Sequence, residues 1–269
     1  MTVERFFELF LEELNLNASL REYYKFQNNQ SSFYFRKAYY VQRLQFVLDN
    51  IIAGKSIWDC GCGYGTTGLF LAMNGIASTG TTIEFYYNQI PIRKEYWKQF
   101  GDVSLFQASH ENIFDKHPIE NSVDIVILQD TLHHLEPLQD AISILKNSLR
   151  MDGHIILVEE NGNNVIQNTK LYLRRGNKRI IEIWDEQLQK NILLGNENIR
   201  SLKKWKSEFA KQNMTIDDSK TQYLRLYFPN KFNATNYQSL IDNEQKIWRN
   251  NKFIREYFFF GLNYIVKKN

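Results

Sequence analysis

The sequence has few cysteines and no long apolar run. Two of its 269 residues are cysteines, Cys60 and Cys62, separated by one residue. A zinc site needs about four ligands in matched pairs, and so short a loop disfavours a disulfide, so we expect both to be small residues in a tight turn. No stretch approaches the ~20 consecutive apolar residues that a membrane-spanning helix needs, so no membrane span is expected.

The first residues also lack the features of a secretory signal. Glu4, Glu8, Glu12 and Glu13 lie between the apolar residues of positions 1–14. A signal peptide has a basic start and a small-residue cleavage site instead. The chain is therefore expected to be cytoplasmic. It has no internal repeat or low-complexity linker, and its 43% hydrophobic and 23% charged residues are typical of a globular protein.

Charge is distributed unevenly along the chain. Residues 1–169 contain 13 Lys+Arg and 20 Asp+Glu, a net charge of −7, whereas residues 170–269 contain 20 and 10, a net charge of +10. The sharpest basic cluster occupies residues 174–179, Arg-Arg-Gly-Asn-Lys-Arg. A basic half attracts an anionic substrate, a nucleic acid or a membrane surface. A solvated lysine-rich surface is the simplest interpretation.

Helical patterns in the first 55 residues give way to alternating strands and helices. Apolar residues recur at helical spacing in residues 3–14 and 38–52. Strands are then predicted at 56–58, 77–83, 103–107, 123–128 and 154–158, and helices at 66–74, 88–100 and 138–149. This alternation is typical of right-handed βαβ units and a parallel sheet. We therefore predict an α/β, Rossmann-like three-layer sandwich.

The alternation lapses after Glu160. Residues 161–195 contain turn residues and basic clusters, residues 201–212 resemble an amphipathic helix, and two late strands are predicted at 221–228 and 258–267. These strands suit an antiparallel pair at the sheet edge. The predicted organisation is a helical N-terminal cap (1–55), a cofactor-binding core (56–160), an inserted acceptor region with a helix (161–220), and terminal strands with an intervening cap segment (221–269).

A glycine-rich turn joins the first strand of the core to its first helix. Gly61, Gly63 and Gly65 let the backbone turn sharply and let a ligand approach it, and the helix N-terminus adds free N–H groups and a positive dipole. The spacing differs from the G-x-G-x-x-G of dinucleotide sites. Gly68 supplies a late glycine, so an NAD(P)-dependent oxidoreductase is a distant alternative. Glu84 ends the second strand, where an acidic residue accepts hydrogen bonds from ribose hydroxyls.

The core resembles the class I S-adenosylmethionine-dependent methyltransferases, especially the small-molecule group with a "DxGxGxG … HH" pattern. The matching segments are Ile57–Gly65, Thr82–Glu84, Phe106–Ile113, Asp124–Leu135 and Met151–Glu159. The resemblance implies S-adenosylmethionine as the cofactor. It also implies a mostly parallel seven-stranded sheet that ends in an antiparallel hairpin.

The resemblance also implies which residues contact the cofactor. Those facing its methionyl part would be Asp59, Gly61, Cys62, Gly63 and Gly65. Glu84 would hold the ribose, and Ile83 or Phe85 would flank the adenine. Gln129 is a further cofactor-binding candidate because it ends the fourth strand, where open α/β sheets present ligands. Family members often place an acidic residue near position 109 against the adenine amine. Here Ser109, His110 or the main chain would make that contact.

The catalytic candidates are Asp130, His133 and His134, which follow the fourth strand at the edge where open α/β sheets present ligands. Methyl transfer is an in-line displacement in which the protein supplies alignment and desolvation. A hydroxyl or protonated amine acceptor also needs a base, a role suited to histidine. Alternatively, one histidine packs beneath the cofactor and the other caps the loop. No metal site is expected, because no convincing cluster of oxygen ligands stands out.

The patterns thus predict an enzyme that methylates oxygen or nitrogen of a small-molecule acceptor, possibly an anionic one. Two alternatives remain open: a methyltransferase of a nucleic acid or protein, suggested by the +10 C-terminal portion, and a cofactor-binding protein without catalysis. Against a nucleic-acid methyltransferase, the fourth strand is followed by Gln129–Leu132 and not by an Asn-Pro-Pro-Tyr-type motif. The patterns leave the oligomeric state open.

Overall fold

The computed structural model describes residues 1–26 and 30–269, except for the side chains of Gln30, Ser31 and Phe85. Seven strands form one sheet in the order β3-β2-β1-β4-β5-β9-β8. They are β1 (Ile57–Cys60), β2 (Ser78–Thr82), β3 (Phe106–His110), β4 (Val123–Gln129), β5 (Leu149–Glu160), β8 (Met214–Leu224) and β9 (Gly261–Lys268). A separate antiparallel hairpin consists of β6 (Ile180–Asp185) and β7 (Lys190–Gly195).

The sheet has the predicted topology. Strands β1 to β5 are parallel, with Trp58 of β1 opposite both Thr79 of β2 and Val126 of β4. Strand β9 runs antiparallel between β5 and β8. The prediction of a Rossmann-like, mostly parallel seven-stranded sheet with a terminal antiparallel hairpin is confirmed. The order of the parallel strands reverses between β1 and β4, so a cleft forms at their carboxyl ends.

Helices cover both faces of the sheet. They are α1 (Val3–Leu16), α2 (Ala18–Tyr24), α3 (Gln30–Asp49), α4 (Thr66–Ala72), α5 (Ile90–Trp97), α6 (Leu138–Ser148), α7 (Val165–Arg175), α8 (Leu202–Ala210), α9 (Tyr237–Asn250) and α10 (Lys252–Phe258). Side-chain oxygens of Thr2, Asn17 and Ser201 cap the N-termini of α1, α2 and α8. Among the described residues, no helix is both long and apolar enough to cross a membrane.

The alternation of side chains along β4 divides the core in two. Ile125 and Ile127 face a cluster formed with α1, α3, α4 and α5, whereas Val126 and Leu128 face a second cluster formed with α6 and α8. All four side chains are essentially inaccessible to solvent. A strand that is buried on both faces reads as a continuous apolar run, which is the pattern that predicted β4.

Strands β3 and β8 do not begin at their predicted positions. The strand expected at 103–107 begins at Phe106, because Val103–Leu105 form a 3-10 turn in which the Asp102 side chain accepts a hydrogen bond from the Ser104 amide. The strand expected at 221–228 begins at Met214 and ends at Leu224. Its register shifts between Asp217 and Gln222, and this irregular polar stretch hid the first half of the strand.

Other boundaries differ because of local backbone features. The strand expected at 154–158 already begins at Leu149, and it contains an irregularity at Asp152, which has a φ of 64°. Helix α3 begins at Gln30, eight residues before the predicted start, and ends at Asp49. The stretch predicted as an excursion after Glu160 contains α7 and the β6–β7 hairpin.

One buried ion pair links the N-terminal helix to the sheet-covering helix α5. Nε and Nη2 of Arg93 donate to the two carboxylate oxygens of Glu13, both at 2.8 Å. The indole Nε1 of Trp97 also donates to Glu13, at 2.9 Å. Arg93 is 0% and Glu13 2% exposed. Nη1 of Arg93 donates to the carbonyl of Tyr64 at 2.9 Å, so this pair also holds the glycine loop.

Candidate functional site

The glycine loop leaves an open space in front of helix α4. Gly61 and Gly63 have φ angles of +83° and +50°, a region that favours glycine. A Cβ on Gly61 would lie 2.4 Å from the Thr131 side chain, so this glycine is required for packing. A Cβ on Gly63 would meet nothing within 4 Å. The space above Gly63, beside the N-terminus of α4, is therefore a cradle into which a side chain or a ligand can project.

Asp59 places a buried carboxyl group beneath this loop, and one of its oxygens has no partner among the described residues. The residue lies in β1 and is 2% exposed, and its Oδ2 accepts no hydrogen bond from the described residues. Burial raises the pKa of the carboxyl to about 7. A cationic group of a ligand would restore the charge of this carboxylate.

The end of β2 carries Glu84 on the rim of the cleft. The residue is exposed. Desolvation of its carboxyl outweighs the attraction of His134 and raises its pKa. Ile83 is half-buried beside it. The backbone of Phe85 belongs to a 3-10 turn, but its side chain lies outside the described part of the chain, so its predicted contact with adenine stays a prediction.

An aromatic cluster covers the loop from the side of α2. The ring of Tyr64, in the glycine loop, stacks on that of Tyr86 with centroids 4.3 Å apart. Tyr23 of α2 contacts both rings, at 4.9 and 5.0 Å. These contacts of α2 with Tyr64 and Tyr86 were not predicted from the sequence.

The end of β3 is occupied by the residues predicted near the adenine. Ser109 is paired in register with Thr81 of β2. Nε2 of His110 lies 3.3 Å from the carboxylate of Asp185 at the tip of the β6–β7 hairpin, whereas its Nδ1 is buried without a partner among the described residues. His110 therefore connects the sheet to the hairpin.

Strand β4 ends in two polar side chains with protein partners. The amide of Gln129 donates to the hydroxyl of Thr67 in α4. Asp130 has a φ of 49° and accepts a hydrogen bond from Nη1 of Arg43 in α3, at 2.5 Å. Burial opposes ionisation of Asp130, but the Arg43 guanidinium outweighs it and holds the pKa of the carboxyl below its usual value.

The two histidines differ in their surroundings. His133 is 2% exposed and its Nδ1 lies 2.5 Å from Oε2 of Glu159, which is fully buried. Burial disfavours the imidazolium, but Glu159 outweighs this and raises the pKa of His133 to about 9. His134 is half-buried, and its Nδ1 lies 2.8 Å from the carbonyl oxygen of Gly195 in β7. A carbonyl only accepts, so Nδ1 of His134 carries the proton.

The predicted residues thus meet at the carboxyl edge of the sheet, with one qualification. The sulfur of Cys62 packs against Gly80 of β2, where an added Cβ would lie 2.8 Å from it. Any contact of Cys62 with a ligand would therefore come from its main chain. Cys60 and Cys62 are both free buried thiols.

Three residues at this edge were missed by sequence reasoning: Glu159, Asp185 and Glu197. No local pattern marks them, since each is brought in by a distant element.

Comparison with known proteins identifies a family match in the central part of the chain. Residues 58–155 match the family model described as a methyltransferase domain. No curated protein matches the sequence. The segment that matches holds the glycine loop, Glu84 and both histidines.

Solved structures share the fold at low sequence identity. A SAM-dependent methyltransferase from Methanosarcina mazei has a TM-score of 0.54 and 16% identity, over 82% of this chain and 96% of that one. A putative sarcosine dimethylglycine methyltransferase from Galdieria sulphuraria has 0.54 and 14%, over 87% and 86%. Phosphoethanolamine N-methyltransferase 2 from Haemonchus contortus, solved with S-adenosyl-L-methionine, has 0.56 and 12%, over 85% and 52%.

Proposed function

We propose that the chain, whose residues 58–155 match a methyltransferase domain, is a class I S-adenosylmethionine-dependent methyltransferase that methylates oxygen or nitrogen of a small-molecule acceptor. The cofactor supplies an activated methyl group on a sulfonium sulfur. The protein aligns the acceptor for in-line displacement, excludes water and handles the acceptor's proton. The domain limits given by the sequence patterns, with a core at 56–160 between cap regions, are part of this proposal.

The residues at the carboxyl edge fit the cofactor. The open cradle at Gly63 accommodates its methionyl part, and the unpartnered carboxyl of Asp59 suits its ammonium group. Glu84 is free on the rim to accept hydrogen bonds from ribose hydroxyls. Gln129 contributes by holding Thr67 at the start of α4. Ile83, Ser109 and His110 lie where an adenine ring would be placed.

The enclosure of the cleft is the observation that supports a small-molecule acceptor. On one side, α2 and α3 meet the edge through Tyr23 against Tyr64 and through Arg43 against Asp130. On the other side, the β6–β7 hairpin meets it through its bridge from Leu194 to Leu135 and through the contact of Asp185 with His110. A cleft walled from both sides suits a compact acceptor better than a polymer.

His134 is the residue proposed to handle the acceptor's proton. Its Nδ1 donates to Gly195, so the lone pair of the neutral ring lies on Nε2. His133 is less suited to be a base, because Glu159 raises its pKa to about 9 and an imidazolium accepts no proton. Asp130, paired with Arg43, is proposed to position α3 over the acceptor.

Cofactor affinity is expected to depend on pH through Asp59. In the free protein the raised pKa, about 7, leaves the carboxyl protonated below neutrality, and binding of the cofactor's ammonium favours the charged form. The affinity should therefore fall as the pH drops through 7, by up to about tenfold per pH unit. Calorimetric titrations at several pH values measure this.

Asp59→Asn is the matched variant, because it keeps the shape and removes the titrating group. Its affinity should change less with pH than that of the natural protein, and the difference between the two profiles isolates Asp59 from other titrating groups. The folded state raises the pKa of Asp59, so its ionisation destabilises the free protein above neutrality, and the variant should unfold at no lower temperature at pH 8. Identical pH profiles would exclude Asp59 from the ammonium site.

The proposed reaction is tested by separating acceptors by size. A cell extract is divided by ultrafiltration into metabolites and macromolecules, and each fraction is incubated with the enzyme and methyl-labelled S-adenosylmethionine. Label should pass to the low-mass fraction. Label on RNA, DNA or protein alone would favour a macromolecular acceptor, and none on either fraction would favour a binding protein without catalysis.

The role of His134 is tested on the same acceptors. His134→Ala should lower turnover by about a hundredfold with nearly unchanged cofactor affinity, because proton transfer typically contributes 10²–10⁴-fold. His117→Ala, an exposed histidine of the same domain, is the control and should retain full turnover. A fall in cofactor affinity with unchanged turnover would make His134 structural.

A further inference from the structure

We infer that His133, His134 and Glu197 form a binding site for a divalent first-row transition-metal ion beside the acceptor cleft. One potential ligand atom from each residue lies within 4.8 Å of the other two. Two ligands of a tetrahedral Zn²⁺, each about 2.0–2.2 Å from the ion, are about 3.4 Å apart. Ligand atoms at the largest separation therefore need to approach each other by about 1.4 Å to share an ion.

Both imidazoles are already held in a metal-binding orientation. Nδ1 of His133 is bound by the buried carboxylate of Glu159, and Nδ1 of His134 by the carbonyl of Gly195. Histidines that bind metals generally donate the other ring N–H to a carboxylate or carbonyl in this way. Both Nε2 atoms are left to face an ion, whose binding would displace the Nε2 proton of the His133 imidazolium to solvent, and the two ring centroids lie 4.1 Å apart. Glu159 is itself held by the Leu132 amide at 2.8 Å.

Glu197 supplies the third ligand from outside the methyltransferase core. Its Oε2 lies 3.7 Å from Nε2 of His133, too far for a hydrogen bond, so this oxygen is not already satisfied by His133. The residue follows β7 with a φ of 55°, and Nη2 of Arg175 donates to its carbonyl at 3.1 Å. The basic cluster predicted at 174–179 thus contributes Arg175 to fixing the loop that carries Glu197.

The surrounding charge favours a cation. The carboxylates of Glu159 and Glu197 lie 2.5 and 3.7 Å from the ring nitrogens of His133. The negative charges of Asp130 and Glu160 also act on this ring. Arg43 and Arg225 offset only part of this negative charge. Two imidazoles with one carboxylate suit Zn²⁺, Fe²⁺, Co²⁺ or Mn²⁺ better than Mg²⁺ or Ca²⁺, which prefer oxygen ligands.

Three protein ligands leave one or more coordination positions open. The side chain of Glu197 is 32% exposed, which leaves that position open to solvent and to an acceptor. An ion held there would lower the pKa of a coordinated acceptor hydroxyl, and the proton of that hydroxyl would be released to water. This activation of the hydroxyl rests on the proposed function, and in that reaction the ion would replace His134 as the group that removes the acceptor's proton. The metal site itself does not rest on methyl transfer.

Metal binding is measured directly on the full chain. The protein is stripped with a chelator and titrated with Zn²⁺ or Mn²⁺ in competition with a chromophoric chelator, and Mg²⁺ serves as the hard-ion comparison. We expect one Zn²⁺ per chain, bound about a hundredfold more weakly by Glu197→Gln and more weakly still by His134→Ala. Glu182→Gln, an exposed glutamate on the same hairpin, should bind like the natural chain.

Two binding outcomes would overturn the inference. Equal Zn²⁺ binding by all four proteins would place the ion elsewhere, for instance at the buried thiols of Cys60 and Cys62, and no binding by any would exclude the site. Thermal unfolding checks that Glu197→Gln and His134→Ala are folded. Methyl transfer with and without metal is measured separately. Metal-independent activity together with tight Zn²⁺ binding would retain the site and remove only its role in the reaction.

Discussion

Replacement of Gly63 by asparagine is expected to weaken S-adenosylmethionine binding by at least about a hundredfold, a loss of about 2.7 kcal/mol. A Cβ at this position projects into open space, so the larger side chain occupies the volume in which the methionyl part of the cofactor would lie. Asparagine is chosen because it tolerates the left-handed conformation that φ of +50° imposes. Isothermal titration measures the affinity.

Gly75→Asn is the matched control. Gly75 also has a left-handed backbone, with a φ of +71° and nothing within 4 Å of an added Cβ, but it lies between α4 and β2 at the opposite edge of the sheet. This variant should bind the cofactor normally. If Gly63→Asn and Gly75→Asn both bind like the natural protein, the cradle is not the cofactor site.

Breaking the buried ion pair should produce the largest loss of stability. Arg93→Met leaves the Glu13 carboxylate buried without its partner, and a break of this kind costs about 3–5 kcal/mol. Because Arg93 also holds the carbonyl of Tyr64, the variant should bind the cofactor more weakly. Chemical denaturation measures the free energy of unfolding.

A second substitution separates charge from packing. Adding Glu13→Gln to Arg93→Met removes the uncompensated charge and keeps an acceptor for Trp97, so the double variant should recover at least about 1 kcal/mol of the loss. Arg5→Met breaks the exposed pair with Glu8 and should change stability by less than about 1 kcal/mol. If the losses from Arg93→Met and Glu13→Gln simply add, the pair has no special role.

Local sequence patterns predicted most of the parallel sheet and the glycine loop. Strand β4 is a continuous apolar run, and the glycine loop has fixed spacing, so both are legible without tertiary information. Strand β8 was half missed because its first residues include the polar stretch around Asp217, and its pairing with β9 compensates for poor local preference. The start of β3 was misplaced because a side-chain capped turn precedes it.

The candidate site was harder to predict because its contacts span long distances along the chain. His133 and His134 stood out as a pair, but their different surroundings come from Glu159, Gly195 and Glu197, which lie 26 to 64 residues away. The sequence supplied no reason to pair Asp130 with Arg43, 87 residues before it. The proposed cofactor contacts are thus local in sequence, whereas the proposed acceptor contacts depend on how the hairpin and the N-terminal helices fold back.

The most direct test is a calorimetric titration of the natural protein with S-adenosylmethionine, S-adenosylhomocysteine and NADH under identical conditions. We expect the first two to bind one equivalent with micromolar affinity, and NADH not to bind. Binding of NADH alone would contradict the assignment of the glycine loop, and with it the placement of the cofactor over Gly63 and of the acceptor beside His134.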